Sequence, residues 1–272
     1  MALNIWALAI VKALGLGYPA VQIVFLRTAM GGAIILPWVL SRRTSFSDIS
    51  DLPIHGLRIL LSFGALNAGF FAIARMPIAL FTTVNFTRPI VMMVMAALLL
   101  AEPIGRRRWV AAVFALIGVI IAANPFGLLQ SGAAVEPVPL LVLGAAVIMG
   151  TGAVIATRRL RRAPTIVMMA AYTYGILALS APLALVFWVP ISGAHLLPLL
   201  LIGVFAQAAQ LCFLRAHDLG QAGYLGVLGY LSLVLSASVG YVAFGEVPTL
   251  AFAIGAALVI ATALWTAYRH RQ

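Results

Sequence analysis

Two glutamates occupy matching positions in this chain and are the first candidates for chemistry. Glu102 follows a long apolar run and precedes Pro103, and Glu246 lies in a similar segment that ends at Pro248. The two carboxylates are 144 residues apart. They could carry protons in a coupled process, or they could be anions at helix starts, where proline fits the first turn and a carboxylate complements the helix dipole. The adjacent prolines favour the helix-start role.

A basic residue within an apolar run is the second candidate. Arg88 lies near the middle of such a run, and Pro89 removes one backbone donor and can free the carbonyl near Asn85, so we expect a kink there. Arg88 either meets a substrate carboxylate or hydrogen-bonds the freed carbonyls, and the sequence leaves both roles open. We expect Arg27 and Lys12 to be interfacial or structural, because each side chain is long enough to reach the membrane surface.

Amide and aromatic side chains occur in the same apolar runs. Gln207 and Gln210 are three residues apart and therefore share a helix face. A buried amide is costly in lipid, so both should face a polar partner or a cavity. Aromatic rings suit a flat apolar ligand, although they also fill ordinary cores. The predicted substrate-binding residues are Asn67, Phe70, Thr82, Asn85, Phe86, Arg88, Tyr172, Gln207, Gln210, Tyr224 and Tyr230.

Small residues recur at every third position in the second half of the chain, at Gly223, Gly226 and Gly229. Such a stripe permits either close helix packing, which is the commoner outcome, or exposure of the backbone to a ligand. We predict that these glycines, together with Pro89, are hinge or packing positions.

The elements that position these residues must be membrane helices. Of the 272 residues, 64% are hydrophobic and 8% are charged, and the mean hydropathy is +1.13. A soluble domain of this length needs a polar exterior, so lipid must be the solvent. The apolar runs of about 18–24 residues match a hydrocarbon core of about 30 Å, and the two-residue alternation of a β-barrel is absent.

Enzyme and metal chemistry are not indicated. The single cysteine, Cys212, excludes an intramolecular disulfide and a cysteine metal cluster. The four histidines have no metal-ligand spacing, and the sequence has no nucleophile elbow or phosphate-binding glycine loop. We therefore expect a protein that is not an enzyme and that uses no cofactor or metal.

Breaks at glycine, proline and charged residues divide the chain into ten candidate spans. They are approximately residues 2–17, 19–40, 56–75, 78–101, 105–123, 138–157, 165–188, 195–216, 220–244 and 249–268. Thirteen of the 17 basic residues fall on one set of connections, whereas the opposite connections carry only Arg75. By the positive-inside rule, this asymmetry predicts that both termini lie in the cytoplasm. We expect the protein to lie in the bacterial inner membrane. The arginines flank spans rather than forming a reading module, so nucleic acid is not expected as a partner.

The topology gives the paired glutamates opposite locations. Glu102 follows span four on the cytoplasmic side, and Glu246 follows span nine on the outer side, so the two halves have opposite orientation. We predict an all-α polytopic membrane protein with ten transmembrane helices in two inverted five-helix repeats. The first repeat covers residues 1–124, an extracytoplasmic linker covers 125–137, and the second repeat covers 138–272.

These motifs, taken in order, resemble the drug/metabolite transporter superfamily of the EamA type over nearly the whole chain. The resembling segments are Ile23–Arg27, Phe86–Pro89 through Glu102, Arg106–Trp109, Leu116–Gly118, Phe244–Pro248 and Gly255–Ile260. The resemblance implies two inverted five-helix repeats around a central substrate cavity and export of small metabolites, often amino acids. The YddG-like branch of aromatic amino acid exporters is the subgroup that the chain resembles.

The functional hypothesis is a secondary transporter that exports small amphipathic metabolites, foremost amino acids and among them aromatic ones, by alternating access. No acidic residue lies in the middle of a span, so facilitated diffusion is the simplest mechanism, and the coupling stays open. Alternatives are an exporter of other metabolites or drugs, a channel, and an intramembrane lipid-modifying enzyme, which would need a nucleophile that the spans lack. The expected partners are a small-molecule substrate and the lipid bilayer, and a monomer would suffice.

Overall fold

The protein is described here by a computed structural model, in which the described part of the chain is helical. It covers residues 2–14, 16–42, 51–76, 106–123, 137–160, 163–219 and 250–268, with scattered positions between 81 and 98 and between 235 and 245. The helices are α1 (Ala2–Leu14), α2 (Ala20–Ser41), α3 (Leu52–Ile73), α4 (Arg106–Ala123), α5 (Pro137–Arg159), α6 (Thr165–Val186), α7 (Gly193–Leu219) and α8 (Leu250–Tyr268).

Each of these eight helices coincides with a predicted span, with bounds that differ by four residues or fewer. Helices α2, α3, α5 and α6, and the part of α7 from Gly193 to Arg215, are long and apolar enough to cross a membrane. The 13 residues of α1 give a length of only about 20 Å at 1.5 Å per residue. Spans four and nine lie largely outside the described residues. The chain is therefore an all-helical, polytopic membrane protein.

Helices α2 and α6 have the same length and the same arrangement of prolines. Each has 22 residues and follows a proline, Pro19 or Pro164, with nearly identical dihedral angles of φ −57° and ψ 139° or 140°. Each also contains one internal proline, Pro37 or Pro182, and both proline pairs are 145 residues apart. The extended dihedral angles of the leading proline set the start of each helix, and the internal proline removes one helical hydrogen bond near its end.

The helices pack as a bundle in which distant parts of the chain are neighbours. Helix α3 packs on α5 and α6, α2 packs on α6 and α7, α1 packs on α7, and α4 packs on α8. One buried cluster is built around Ile23, Ile73, Leu143, Ile176 and Ile202. A second cluster joins the other ends of the helices, and its buried members are Ile35, Leu160, Met168, Met169 and Leu214.

Helices α2 and α7 approach one another at backbone distance. A Cβ atom built on Gly203 would lie 2.6 Å from the Cβ of Met30 and 2.9 Å from the carbonyl oxygen of Arg27. Neither atom can move without displacing α2, so this position requires glycine. The contact also fixes the height of Arg27 relative to α7.

We expect the substitution Gly203→Ala to lower the free energy of unfolding by about 1–3 kcal/mol, the usual cost of overpacking. A Cβ on Gly144 of α5 would meet nothing within 4 Å, so Gly144→Ala is the matched control and should be neutral or slightly stabilising. Thermal unfolding of the purified protein in detergent measures both. Equal melting temperatures for the two variants would show that α2 and α7 are not in backbone contact.

Candidate functional site

A cavity of about 360 Å³ lies between α1, α2, α3, α5 and α7. This volume is in the range of sites for small molecules. Its wall is mostly apolar, with polar groups at a few points. The described lining residues include Asn4, Leu8, Arg27, Ala65, Leu66, Phe70, Phe81, Asn85, Phe86, Arg88, Leu143, Ala146, Ile202, Ala206 and Val239.

Four of the predicted substrate-binding residues line this cavity: Phe70, Asn85, Phe86 and Arg88. Together with Phe81, they place three aromatic rings, one amide and one guanidinium around a single space. Asn85 uses one hydrogen of its Nδ2 in a 2.9 Å bond to the carbonyl oxygen of Phe81. The bond holds the amide group at the wall. This combination can hold a molecule with one apolar ring and one charged end.

Arg88 reaches across the bundle to α5, where a glycine makes room for it. A Cβ on Gly150 would lie 2.8 Å from Nη2 and 3.4 Å from Cζ of Arg88. The Nε of Arg88 is buried and has no hydrogen-bond partner in the described part of the chain. Both roles left open by the sequence, contact with a substrate carboxylate and hydrogen bonding to freed carbonyls, stay predictions.

Arg27 is buried, which agrees with the structural one of the two roles expected from the sequence. It is 9% exposed and lines the cavity. Its Nη2 donates to the hydroxyl of Tyr172 at 3.4 Å, and its Nη1 is buried without a partner among the described residues. The side chain lies on the face of α2 that packs against α6.

Tyr172, another predicted site residue, lies between two arginines. Its hydroxyl accepts from Arg27, while the guanidinium carbon of Arg58 is 5.5 Å from its ring centroid. Arg58 is 2% exposed and donates through Nη1 to the carbonyl oxygen of Met168 at 3.1 Å. The tyrosine therefore stabilises both cations, one by a hydrogen bond and one through its ring. Sequence reasoning placed Arg58 only at the start of a span and missed this pairing.

Gln207 is buried beside the cavity rather than in its wall. Its Oε1 accepts from Thr173 Oγ1 at 3.3 Å, and its Nε2 has no partner among the described residues. Gly31 of α2 leaves space for it, since a Cβ there would be 2.7 Å from Oε1. The expected polar partner of Gln207 is therefore Thr173.

The remaining predicted residues are not brought into the cavity or cannot be placed. Asn67 donates to the carbonyl oxygen of Phe63 at 2.9 Å within its own helix, and Gln210 is half-buried in α7. Neither is among the lining residues. Thr82, Pro89, Gly223, Tyr224, Gly226, Gly229 and Tyr230 lie outside the described residues, so their roles stay predictions.

A polar contact that the sequence does not reveal joins the start of α2 to the segment between α6 and α7. The Nε2 of Gln22 donates to the carbonyl oxygen of Val189 at 2.8 Å, and the Val189 amide donates to Oε1 at 3.0 Å. The hydroxyl of Tyr18 lies 2.9 Å from His195 Nδ1 and accepts from the Ser192 amide at 3.2 Å. We call these five residues the clasp. The clasp provides hydrogen-bond partners for the Oε1 and Nε2 atoms of the fully buried Gln22.

The charges around the cavity are unbalanced in the described part of the chain. Two arginines line it, and no described lining residue is acidic. Asp51 and Asp218 are 14 and 12 residues from Ala65 and Ala206, the nearest lining positions on α3 and α7. At 1.5 Å per residue, these separations are roughly 20 Å. The described part of the cavity wall therefore carries a net positive charge.

A cysteine in the cavity wall should react with water-soluble reagents. In a background with Cys212 replaced by serine, we expect Ala65→Cys to be modified by a methanethiosulfonate at least about ten times faster than Ala72→Cys, since buried cysteines are inert. Ala65 lines the cavity and Ala72, on the same helix, is 0% exposed and does not. Similar modification rates, measured by mass spectrometry, would contradict a water-filled cavity.

Known proteins that are similar to this chain are transporters. The chain is 25% identical to an S-adenosylmethionine uptake transporter of Rickettsia felis, over 96% of this chain and 87% of that protein. It is 25% identical to a riboflavin transporter of Brucella anthropi, over 92% and 88% of the two chains. It is 28% identical to the pseudopaline exporter CntI of Pseudomonas aeruginosa, over 93% and 87%.

A solved structure and a protein family also match this chain. One crystal structure of a protein, 24% identical in sequence, superposes with a TM-score of 0.76 over 100% of this chain and 96% of that one, which shows a shared fold. Residues 2–124 and 137–268 each match the EamA-like transporter family. This chain is therefore a transporter of the drug/metabolite type, not an enzyme, and it belongs to the EamA-like transporter family.

Proposed function

We propose that this protein exports small amphipathic metabolites across the bacterial inner membrane by alternating access, with aromatic amino acids as the first candidates. The observation that carries the proposal is the cavity of about 360 Å³, which combines arginines with phenylalanine rings. A carboxylate can bind Arg88 or Arg27 through charge-assisted hydrogen bonds. A ring can pack against Phe70, Phe81 or Phe86 in an offset or edge-on arrangement.

The relatives leave the substrate and the direction of transport to be argued from the cavity. Their printed substrates are S-adenosylmethionine, riboflavin and pseudopaline, and the names include both an uptake transporter and an exporter. An aromatic amino acid fits the mixture of rings and guanidinium groups on the wall. Facilitated movement down the substrate gradient is the proposed mechanism, because no acidic residue occurs between residues 52 and 101 or between 137 and 217.

Alternating access is supported by a correspondence between the two halves, which we propose to be inverted five-helix repeats within a ten-helix fold. If α1, α2, α3 and α4 correspond to α5, α6, α7 and α8, the helix contacts map onto one another. The α3–α5 contact corresponds to α7–α1, and α2–α7 corresponds to α6–α3. The α2–α6 and α4–α8 contacts correspond to themselves. Such exchange is the pattern of a pseudo-two-fold axis between repeats.

Residues that meet at the α2–α6 contact are also paired by the proposed correspondence between the two halves. Arg27 and Tyr172 are 145 positions apart, as are Thr28 and Thr173. Arg27 and Tyr172 contact each other at 3.4 Å, so we place the proposed axis close to this pair. In a rocking motion, residues on the axis move least, while the clasp at the start of α2 would separate to open that end of the bundle.

A substrate screen in liposomes tests the proposed activity. We expect purified protein to accelerate the flux of a labelled aromatic amino acid or a related aromatic acid above that of empty liposomes. An imposed pH gradient should leave the flux unchanged, since the described spans have no acidic residue to bind a coupling proton. Flux equal to that of empty liposomes for every compound would contradict the proposal.

A comparison of two phenylalanines that are adjacent in sequence distinguishes substrate contact from general packing. Phe70 lines the cavity, whereas Phe71 lies against the exposed Arg75, whose guanidinium carbon is 3.9 Å from its ring centroid. We expect Phe70→Leu to lower transport of an aromatic substrate several-fold, because ring–ring packing is worth about 0.5–1.5 kcal/mol. Phe71→Leu should transport as the parent protein does, and an equal loss in both variants would argue against ring recognition at Phe70.

Labelling from each side of the membrane tests the proposed topology. In the background lacking Cys212, Ser131→Cys lies in the predicted outer linker and Ser47→Cys in a predicted cytoplasmic connection. An impermeant maleimide added to intact cells should label position 131, and position 47 only after permeabilisation. Labelling of both from the same side would contradict the inverted topology.

A further inference from the structure

Two arginines line the cavity, and the described part of its wall contains no acidic residue to balance their charge. Arg27 has a buried Nη1 and Arg88 a buried Nε, and neither atom has a partner in the described part of the chain. A buried guanidinium without a counter-ion is costly, because the protein interior solvates charge poorly. An anion in the cavity would supply a counter-charge to both guanidinium groups.

The acidic residues lie outside the sequence stretches that line the described part of the cavity. None of the six occurs in residues 1–47, 52–101, 103–135 or 137–217. The stretches that line the cavity on α1, α2, α3, α5 and α7 are therefore free of acid by sequence. The nearest described acids, Asp51 and Asp218, are roughly 20 Å away along their helices.

We propose that the substrate is an organic anion that carries a net negative charge and an aromatic or similarly flat apolar portion. Acylated amino acids, aromatic hydroxy or keto acids and dicarboxylic acids belong to this class. The proposal rests on the proposed export function and narrows the class of its substrate. Its carboxylate binds the guanidinium groups of Arg27 and Arg88, and its apolar portion packs on the phenylalanine rings.

A zwitterionic amino acid fits this site less well than an anion with the same ring. Its ammonium group would enter a space that contains two guanidinium groups, and like charges repel strongly in a region of low dielectric constant. The described polar lining residues other than the arginines are the amides Asn4 and Asn85. Their oxygens can accept one hydrogen bond from the ammonium group, but they carry no charge to offset the repulsion.

A net charge on the substrate also gives export a driving force without a coupling proton. The cytoplasm is electrically negative, so an anion is expelled by the membrane potential. For a monovalent anion, 100 mV shifts the equilibrium between the two sides by about 50-fold. A net negative charge on the substrate would then explain both the lack of acidic residues within the described spans and the proposed outward direction of transport.

A series of three compounds with the same ring tests the charge preference. The probes are N-acetylphenylalanine, phenylalanine and phenylalaninamide, which at neutral pH are an anion, a zwitterion and largely a cation. Liposomes containing the purified full-length protein are loaded with each labelled probe, and efflux is followed with a potassium–valinomycin potential that is negative inside or zero. We expect the anion to have the highest kcat/KM and to be driven out towards a 50-fold ratio per 100 mV.

Variants assign the preference to the arginines. Arg88→Gln should lower kcat/KM for the anion by at least about 30-fold, the usual scale for breaking a buried charge pair, and the anion should lose its advantage over phenylalanine. Gly150→Ala retains Arg88 but displaces its guanidinium and should produce a partial loss of the same preference. Arg42→Gln, an exposed arginine at the end of α2, is the control and should behave as the parent protein.

The outcomes separate this inference from the proposed export function. Transport of phenylalanine that equals or exceeds that of N-acetylphenylalanine, or anion efflux that does not respond to the potential, overturns the inference and leaves the export function standing. Preference for phenylalaninamide overturns it also. If no probe in the series or in the wider screen exceeds empty liposomes, both proposals fail.

Discussion

Positive charge inside an apolar helix bundle has to be compensated where it lies, and this constraint organises the centre of the molecule. Arg58 is compensated within the protein by the Met168 carbonyl and the face of Tyr172. Arg27 is only half compensated, since Tyr172 accepts from one of its terminal nitrogens. Arg88 is given space by Gly150 but has a buried Nε without a partner in the described part of the chain. The deficit lies at the cavity, where a ligand can supply the missing acceptors.

The same centre is where the corresponding elements of the two halves meet. Helices α2 and α6 share their length, their leading prolines and their internal prolines at a constant offset. The residues that touch at their contact, Arg27 and Tyr172, obey that offset as well. Divergence between the halves has therefore put a cation and its acceptor at equivalent positions, where identical residues would repel or leave a donor unmet.

The sequence predicted the helices well because lipid imposes simple length and hydropathy limits on them. Four residues predicted to bind substrate, Phe70, Asn85, Phe86 and Arg88, line the cavity, since polar or aromatic groups in a span stand out against aliphatic neighbours. The partner of Arg27 was not predicted, because it depends on which face of α2 packs on α6, and an evenly apolar helix has no polar face to reveal this. The bond between Gln22 and Val189 joins residues 167 positions apart, and no local pattern encodes such a pairing.

The most direct test of the account is a structure of the protein determined with N-acetylphenylalanine bound. We predict that the carboxylate lies within about 2.7–2.9 Å of a nitrogen of Arg27 or Arg88, the length of a charge-assisted hydrogen bond, with the ring against Phe70, Phe81 or Phe86. A carboxylate directed away from both arginines, or a ligand bound outside the cavity, would contradict the claim that these buried cations recognise the substrate.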